Sequence, residues 1–227
     1  MMHQFTKRPK IAAIIPAFNE EATIASVVSI VKNSSWVDEV IVICDGSTDE
    51  TALRAEEEGA TVYRLIYNQG KGEALREGVS KTNAPILLFF DADLRGLTQE
   101  HIGQLVLPVL YGSREMNVGL RDRGFFWTKI TKHLPLIGGE RALRRSIFTF
   151  IPPEYLQKFM VESALNYSCR CRHLPYGSVI LRGLSIRRKY EKVGIFLAFK
   201  QYISMFFQVI KGMMVIRMAR WVGIFKT

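Results

Sequence analysis

Cysteine is scarce in this chain of 227 residues. Cys44, Cys169 and Cys171 are an odd number of cysteines without paired spacing. Small secreted domains that rely on disulfides are dense in cysteine, so that class of protein is disfavoured, and reduced thiols in a cytosolic protein are expected. Cys169 and Cys171 form a Cys-x-Cys pair, but no second cysteine pair or Cys/His cluster accompanies it to complete a metal site.

Long apolar runs are also missing. The run Ile11–Ile15 is short and is followed at once by Pro16 and acidic residues, which is not the pattern of a signal peptide. Near the C-terminus, the longest charge-free stretch between basic residues is Gln201–Ile210. It has about half of the roughly 20 residues that a transmembrane helix needs.

Acidic residues are few in the second half of the chain. Residues 1–113 carry 10 Lys and Arg against 15 Asp and Glu, whereas residues 114–227 carry 21 against 6. Nine of these basic residues follow Ile186, with Glu191 as the one acid among them. The asymmetry indicates a basic surface for an anionic partner, either a membrane or a nucleic acid.

What the chain does contain is an alternation of strand-like and helix-like patterns. Four apolar runs have the length of buried strands: Lys10–Phe18, Glu39–Cys44, Thr61–Ile66 and Ile86–Phe90. The first two are separated by four apolar residues on one helix face: Ile24, Val27, Val28 and Val31. A capping box at Ser47 and Glu50 predicts a second helix that ends at Gly59, and the Gly70–Gly72 turn opens a third, through Ser80.

Strands that alternate with helices pair in parallel with right-handed crossovers. We therefore predict an α/β domain over residues 1–193, a Rossmann-like and mostly parallel sheet with flanking helices. Residues 194–227 are predicted to be a basic tail of amphipathic helices. Beyond residue 111 the rhythm breaks, and the patterns predict only a helix over Pro153–Cys171 and a strand over His173–Leu184.

Polar residues follow each of the four predicted strands: Asn19–Glu20, Asp45–Ser47, Gly70–Gly72 and Asp91–Asp93. Ligands of open parallel sheets bind outside the carboxyl ends of the strands, so these segments predict one common binding site. Within it, Asp45 offers a carboxylate to a nucleobase or ribose. Lys71 and the neighbouring backbone N–H groups at a helix start suit a phosphate, although the spacing is not that of a P-loop.

Asp91-Ala92-Asp93 directly follows four large apolar residues. Side chains alternate along an extended segment, so both carboxylates lie on one side and would repel without a positive charge between them. Oxygen ligands suit Mg²⁺ or Mn²⁺, and the metal would stabilise charge on a leaving diphosphate. The alternative is a solvated turn after a strand.

Together these segments resemble the family-2 glycosyltransferases and their relatives of the A-type glycosyltransferase fold. The motifs that carry the resemblance are Ile15-Pro16-Ala17-Phe18-Asn19-Glu20-Glu21, Asp45-Gly46-Ser47-Thr48-Asp49-Glu50-Thr51, Asn68-Gln69-Gly70-Lys71-Gly72-Glu73-Ala74 and Phe90-Asp91-Ala92-Asp93-Leu94. Beyond Leu94 the likeness is weaker and is closest to polyprenyl-phosphate sugar transferases and glucosyl-3-phosphoglycerate synthases.

The resemblance implies a role for individual residues. The nucleotide-binding set is Pro16, Ala17, Asn19, Glu20, Asp45, Gly46, Lys71, Asp91 and Ala92, and the metal ligands are Asp91 and Asp93, with Asp93 also catalytic. Cys44 stands where many relatives have an aspartate, which leaves a UDP- or a GDP-linked donor open.

On the acceptor side, Glu162 resembles the acid of these relatives that acts as a base or positions the acceptor. Several arginines are candidates for an acceptor phosphate: Arg121, Arg123 and Arg141, with Arg144 and Arg145 beside them. Some relatives have a metal-binding histidine in the segment equivalent to Leu184–Lys192, where this chain has none. His173 is an alternative, although a surface position at a strand start suits it better.

The expected activity is transfer of a sugar from a nucleoside diphosphate sugar to a phosphorylated acceptor, with a polyprenyl phosphate at the cytoplasmic membrane face as the first choice. The basic tail would then lie on an anionic membrane surface; otherwise it packs on the catalytic domain or on a second subunit of a homodimer. A soluble acceptor, a phosphoglycerate or a glycan, is the alternative. A nucleic-acid-binding protein is disfavoured, because the strand-end motifs would then have no role.

Overall fold

The computed structural model describes residues 8–122, 138–156 and 160–186, and the predicted tail of residues 194–227 lies outside these ranges. The strands are β1 (Ile11–Ala17), β2 (Glu39–Asp45), β3 (Thr61–Leu65), β4 (Ile86–Phe89), β5 (Leu94–Arg95), β6 (Met116–Arg121), β7 (Arg141–Arg144), β8 (Tyr176–Leu181) and β9 (Ser185–Ile186). The helices are α1 (Ile24–Lys32), α2 (Thr51–Glu57), α3 (Lys71–Ser80), α4 (Gln99–Leu110), α5 (Arg145–Thr149) and α6 (Met160–Cys171), with a 3-10 turn at Pro153–Tyr155.

Seven strands form one sheet in the order β3-β2-β1-β4-β7-β6-β8, and β5 pairs with β9. Strands β1 to β4 are mutually parallel, and β6 and β8 are parallel to each other. Strand β7 runs antiparallel to both of its neighbours, β4 and β6. The prediction of a mostly parallel α/β sheet with flanking helices is confirmed, and the reversed β7 is the feature that the sequence patterns did not predict.

Helices cover both faces of the sheet because alternate strand residues are apolar on each side. On one face, Ile15, Leu88 and Ala142 pack with the buried residues of α1 and α4. On the other face, Ile14 and Leu87 lie in the cluster that includes residues of α3, α5 and α6. The four residues predicted for the inner face of α1 are all buried: Ile24, Val27, Val28 and Val31.

The predicted capping box is wrong. Helix α2 begins at Thr51, and its N-cap residue, Glu50, makes no side-chain capping hydrogen bond. The backbone N–H of Thr51 donates instead to Oδ1 of Asp49, at 3.1 Å. The Ser47 hydroxyl accepts from the backbone N–H of Asn19, so a contact between two strand-end loops replaces the local cap.

Two later predictions are also too long. The predicted helix over Pro153–Cys171 is a 3-10 turn and the separate helix α6. The predicted strand over His173–Leu184 is reduced to β8, because Gly183 turns the chain with φ +80° before β9. In the part of the chain with described structure, no helix has the length and apolarity that crossing a membrane requires.

Candidate active site

The predicted site residues gather at one edge of the sheet. Strands β1, β2, β3 and β4 are parallel, so their carboxyl ends lie together, and β7 enters the sheet from the same edge. The pairing of Phe89 with Arg141 places the end of β4 beside the start of β7. The loops after these strands and the residues before β7 therefore lie close together, where ligands of parallel sheets bind.

Lys71 connects the predicted metal ligand Asp91 to the predicted catalytic acid Glu162. Its ammonium lies 2.6 Å from Oδ1 of Asp91 and 2.9 Å from Oε1 of Glu162. The three side chains are 19%, 23% and 11% exposed, respectively. Asp91 follows β4, Lys71 opens α3 and Glu162 lies in the first turn of α6, so the contact joins residues from three separate elements.

The charges in this cluster act against the effect of burial. Burial favours the neutral amine of Lys71, yet the negative charges of Asp91 and Glu162 outweigh it and hold the pKa of Lys71 above its usual value. Burial alone would raise the pKa of Asp91, but Lys71 holds that pKa below its usual value, with smaller contributions from Arg121 and Arg141. Lys71 and Asp91 are therefore expected to be ionised at neutral pH.

The carboxyl group of Asp91 lies directly against Gly139. A Cβ atom at Gly139 would overlap the carboxyl group of Asp91, so only glycine leaves room for it. Gly139 lies between Gly138 and Glu140, just before β7. The turn into the antiparallel strand thus forms one wall of the site, which sequence patterns alone did not indicate.

Asp45 has a different partner from the one expected. Its Oδ1 accepts from the backbone N–H of Gln69 and its Oδ2 from that of Gly70, both at 2.8 Å. Asp45 is only 3% exposed, and its carboxylate fixes the loop before Lys71. Its contact with a nucleotide stays a prediction. Gly46 lies against the same loop: a Cβ there would lie 2.6 Å from the backbone nitrogen of Asn68.

The loop after β1 is attached to the loop after β2. Asn19, in the left-handed region with φ +53°, accepts at Oδ1 from the backbone N–H of Thr48. The backbone N–H of Glu20 donates to the Thr51 hydroxyl at 2.8 Å. Pro16 and Ala17 end β1 below these loops. The structure therefore brings these four residues, at and just after the end of β1, to the same edge as Asp45, and their contact with a nucleotide stays a prediction.

Asp93 is half-buried, and Ala92 between the two aspartates is buried in the core. Two carboxylates at the site edge are hard oxygen donors of the kind that Mg²⁺ and Mn²⁺ bind, and the predicted pair fits such a cation. Within the described ranges, no group of three Asp, Glu, His or Cys side chains comes together around one point.

The predicted acceptor arginines separate into three groups. Arg121 ends β6 at the site edge, half-buried, where its charge acts on Asp91. Arg123 lies outside the described residues. Arg144 pairs with Ile86 at the opposite edge, and Arg145 donates to the carbonyls of Thr82 and Val79. The prediction that Arg144 and Arg145 contact the acceptor is wrong, because the short strand β7 carries them away from the site.

Arg141 does not lie in a solvated loop. It begins β7 and is 1% exposed, and its guanidinium donates to Gly138, Glu162 and Asn166. His173 also lies far from the aspartates. It is exposed just before β8, whose start is at the opposite edge of the sheet from Asp91, so the alternative third ligand is not supported.

Glu140 is a buried acid that sequence reasoning missed. It is 0% exposed, and neither carboxyl oxygen has a hydrogen-bond partner among the described residues. Burial, reinforced by the negative charge of Asp91, raises the pKa of Glu140 to about 7, against a smaller opposing effect of Arg121. The one signal in the sequence was an acid that directly follows two glycines in a basic stretch.

The family profile of "Glycosyl transferase family 2" matches residues 12–169 of the chain. These residues contain the whole Lys71–Asp91–Glu162 cluster. The chain belongs to glycosyl transferase family 2.

Several members of the family are similar in sequence. The glucosyl-3-phosphoglycerate synthase of Mycobacterium tuberculosis is 39% identical over 111 residues, which cover 45% of this chain and 34% of the synthase. The 4,4'-diaponeurosporenoate glycosyltransferase of Staphylococcus haemolyticus is 38% identical over 103 residues, 43% of this chain and 27% of the relative. The matches thus span about a third or less of the length of these two relatives.

Solved structures of this family share the fold over more of the chain. The Mycobacterium tuberculosis synthase in complex with Mn²⁺, uridine diphosphate and glucosyl-3-phosphoglycerate has a TM-score of 0.76 and 29% identity, and the match covers 92% of this chain and 80% of that one. The same synthase in complex with Mg²⁺ and uridine diphosphate has a TM-score of 0.74 and 29% identity, with 92% and 79% covered. The resemblance to the A-type glycosyltransferase fold is confirmed.

Proposed function

We propose that the chain is a metal-dependent glycosyltransferase that moves a sugar from a UDP-sugar to a soluble phosphorylated acceptor of the phosphoglycerate type. The observation that carries the proposal is the Lys71 ammonium, which joins Asp91 on the donor side to Glu162 on the acceptor side. Catalysis of a transfer between two bound substrates depends on holding both in a fixed geometry. A cluster that links the elements of both sides meets that requirement.

The choice of a soluble acceptor rests on the relatives. The structures with TM-scores of about 0.75 are complexes of a glucosyl-3-phosphoglycerate synthase, several of them with phosphoglyceric acid. The polyprenyl phosphate rested on the resemblance to polyprenyl-phosphate sugar transferases. The anionic membrane surface rested on the tail of residues 194–227, which lies outside the described part of the chain. The complexes of the synthase also favour UDP over GDP as the nucleotide of the donor.

In this proposal, each residue of the site has a separate role in binding the two substrates or the cation. The ammonium of Lys71 has three N–H groups, and two of them bind Asp91 and Glu162, which leaves one for a diphosphate oxygen. Glu162 orients the acceptor hydroxyl, and Arg121 binds the acceptor phosphate from the end of β6. Mg²⁺ or Mn²⁺ held by Asp91 and Asp93 would supply the positive charge that stabilises the leaving diphosphate.

The direct test is a transfer assay of the full chain with UDP-glucose and Mn²⁺. One arm contains 3-phosphoglycerate, and the other contains a polyprenyl phosphate in anionic vesicles. Product with phosphoglycerate and loss of that product in EDTA are the expected results. Transfer to the lipid phosphate alone would overturn the soluble acceptor but not the glycosyltransferase activity. If no UDP- or GDP-sugar is hydrolysed or used for transfer in either arm, the proposed function is overturned.

Lys71→Ala is expected to weaken donor binding by roughly 1.5–3 kcal/mol, which is about 13- to 160-fold in Kd, because a charge-assisted hydrogen bond to the diphosphate is lost. The measurement is calorimetric titration with UDP and Mn²⁺. The control is Lys81→Ala, a lysine that follows α3, the helix that Lys71 opens, and pairs with Glu77. Equal donor affinity in the two variants would assign Lys71 to structure alone.

A further inference from the structure

Arg141 is the largest fully buried charged side chain among the described residues. Its Nε donates to the carbonyl oxygen of Gly138 at 2.8 Å. Its Nη1 donates to Oδ1 of Asn166 at 3.1 Å and to the carbonyl oxygen of Glu162 at 3.4 Å. Burial of a guanidinium is costly, and aliphatic residues of similar volume often fill such a position with no loss of stability. Stability is therefore a weak reason for an arginine at this position.

The acceptors of Arg141 lie on both sides of the active-site cluster. Gly138 precedes Gly139, the residue on which the Asp91 carboxyl rests. Glu162 and Asn166 are four residues apart, on one face of α6, in the turn that carries the Glu162 side chain. A planar guanidinium with donors at fixed angles therefore joins the Gly138–Gly139 turn beside Asp91 to the helix that carries Glu162.

We infer that Arg141 is a positioning residue: its buried guanidinium sets the distance between the Asp91 and Glu162 carboxylates, and so forms the cluster that Lys71 completes. The inference rests on the proposed function, in which these two acids serve the donor and the acceptor. It replaces the prediction that Arg141 binds the acceptor phosphate itself.

Positioning has a kinetic signature that direct acceptor binding does not have. Loss of the guanidinium moves α6 relative to the Gly138–Gly139 turn, so the reacting groups are misplaced while the substrates still bind. We expect Arg141→Met to lower kcat at least about tenfold, with the KM values for UDP-sugar and acceptor within about twofold of wild type. An acceptor contact would instead raise the KM for the acceptor with kcat nearly unchanged.

The chain offers a matched control in Arg145. This arginine also donates to two backbone carbonyls, at 2.6 Å to Thr82 and 2.9 Å to Val79, but it lies at the opposite edge of the sheet. Arg145→Met is expected to lower the melting temperature and to leave kcat of the folded enzyme unchanged. If Arg141→Met and Arg145→Met have equal kcat values below both melting temperatures, Arg141 is merely structural and the inference is overturned.

A second pair of variants tests the same inference if Arg141→Met does not fold. Asn166→Leu removes one acceptor of the guanidinium and fills similar space, whereas Asn166→Asp retains an acceptor oxygen at Oδ1. We expect Asn166→Leu to reproduce the fall in kcat and Asn166→Asp to restore most of it. Equal kcat values for the two variants and wild type would overturn the inference.

A further readout does not depend on activity, and it separates this inference from the proposed function. The coupling between Lys71 and Glu162 is obtained from the unfolding free energies of Lys71→Met, Glu162→Gln and the double variant. The same measurements are repeated with Arg141→Met added to each protein, or with Asn166→Leu if Arg141→Met does not fold. We expect the coupling to fall by at least about half when Glu162 is no longer held in place. An unchanged coupling overturns the positioning role, even if the wild-type chain transfers no sugar.

Discussion

Asp93→Ala is expected to reduce sugar transfer at least about 10³-fold, equivalent to about 4 kcal/mol of transition-state stabilisation. Asp93 is half-buried at the edge of the sheet, two residues after Asp91. Removal of its carboxylate leaves Asp91 as the remaining ligand of the predicted pair, so the cation binds poorly and the leaving diphosphate keeps its charge. The measurement is kcat/KM at saturating Mn²⁺, compared with wild type.

The fold should survive this change, because Asp93 lies outside the apolar core. Asp38→Ala provides the control: this aspartate pairs with Arg8 at the opposite edge of the sheet, so its loss should lower the melting temperature without affecting transfer. Activity of Asp93→Ala within tenfold of wild type, or full activity in excess EDTA, would show that Asp93 is not a metal ligand.

Glu140→Gln is expected to stabilise the protein at alkaline pH by up to about 3 kcal/mol. The pKa of Glu140 is about 7 in the folded chain, against 4.5 in an unfolded one. Between these values the folded state binds more protons, so the free energy of unfolding falls as pH rises and the loss is complete above about pH 7. Glutamine has the same shape but no charge, so it removes this loss.

The wild-type protein and Glu140→Gln should therefore differ in free energy of unfolding above pH 7 and have the same value below about pH 4.5. The comparison is made by urea unfolding in EDTA, over a range of pH values. Glu57→Gln, at an exposed position in α2, is the control and should show no such difference. A wild-type protein as stable as Glu140→Gln at pH 8 would mean that the Glu140 carboxylate gains a partner once it is charged.

Local patterns were sufficient for the first half of the fold, as far as β4. The apolar runs of β1, β2, β3 and β4 and the buried face of α1 are each encoded within a few residues, so periodicity predicted them closely. The capping box failed because Ser47 and Asn19, 28 residues apart, bind each other. A local rule gives way when a loop at the site has a long-range partner of this kind.

The second half of the fold, after β4, could not be predicted in the same way. Strand β7 has four residues and pairs antiparallel with β4, across more than fifty residues of chain. Its sequence, Arg141-Ala142-Leu143-Arg144, has arginines at both ends and only two apolar residues, so its burial depends on tertiary contacts that periodicity does not contain. Glu140 and Arg141 are accordingly the two buried charges whose placement the sequence did not reveal.

The site itself was predicted as a set of residues but not as a set of contacts. Lys71, Asp91 and Glu162 were each singled out, although nothing in the sequence indicated that one ammonium would hold both acids. Asp45 was assigned to the nucleoside, whereas its carboxylate is taken up by two backbone N–H groups. Hydrogen bonds of this kind depend on loop geometry at a separation of 24 or 25 residues, which motif reading cannot supply.

The proposed metal ligands couple the binding of a cation to that of a nucleotide. Without a cation, the carboxylates of Asp91 and Asp93 would repel the phosphate oxygens nearest to them, even though Lys71 and the charges of Arg121 and Arg141 act on the same site. A bound divalent cation would replace this local repulsion by attraction. In the proposed enzyme, cation and nucleotide are then thermodynamically linked, and each raises the affinity of the other by the same factor. Donor saturation in such a site depends on the free cation concentration as much as on the donor itself.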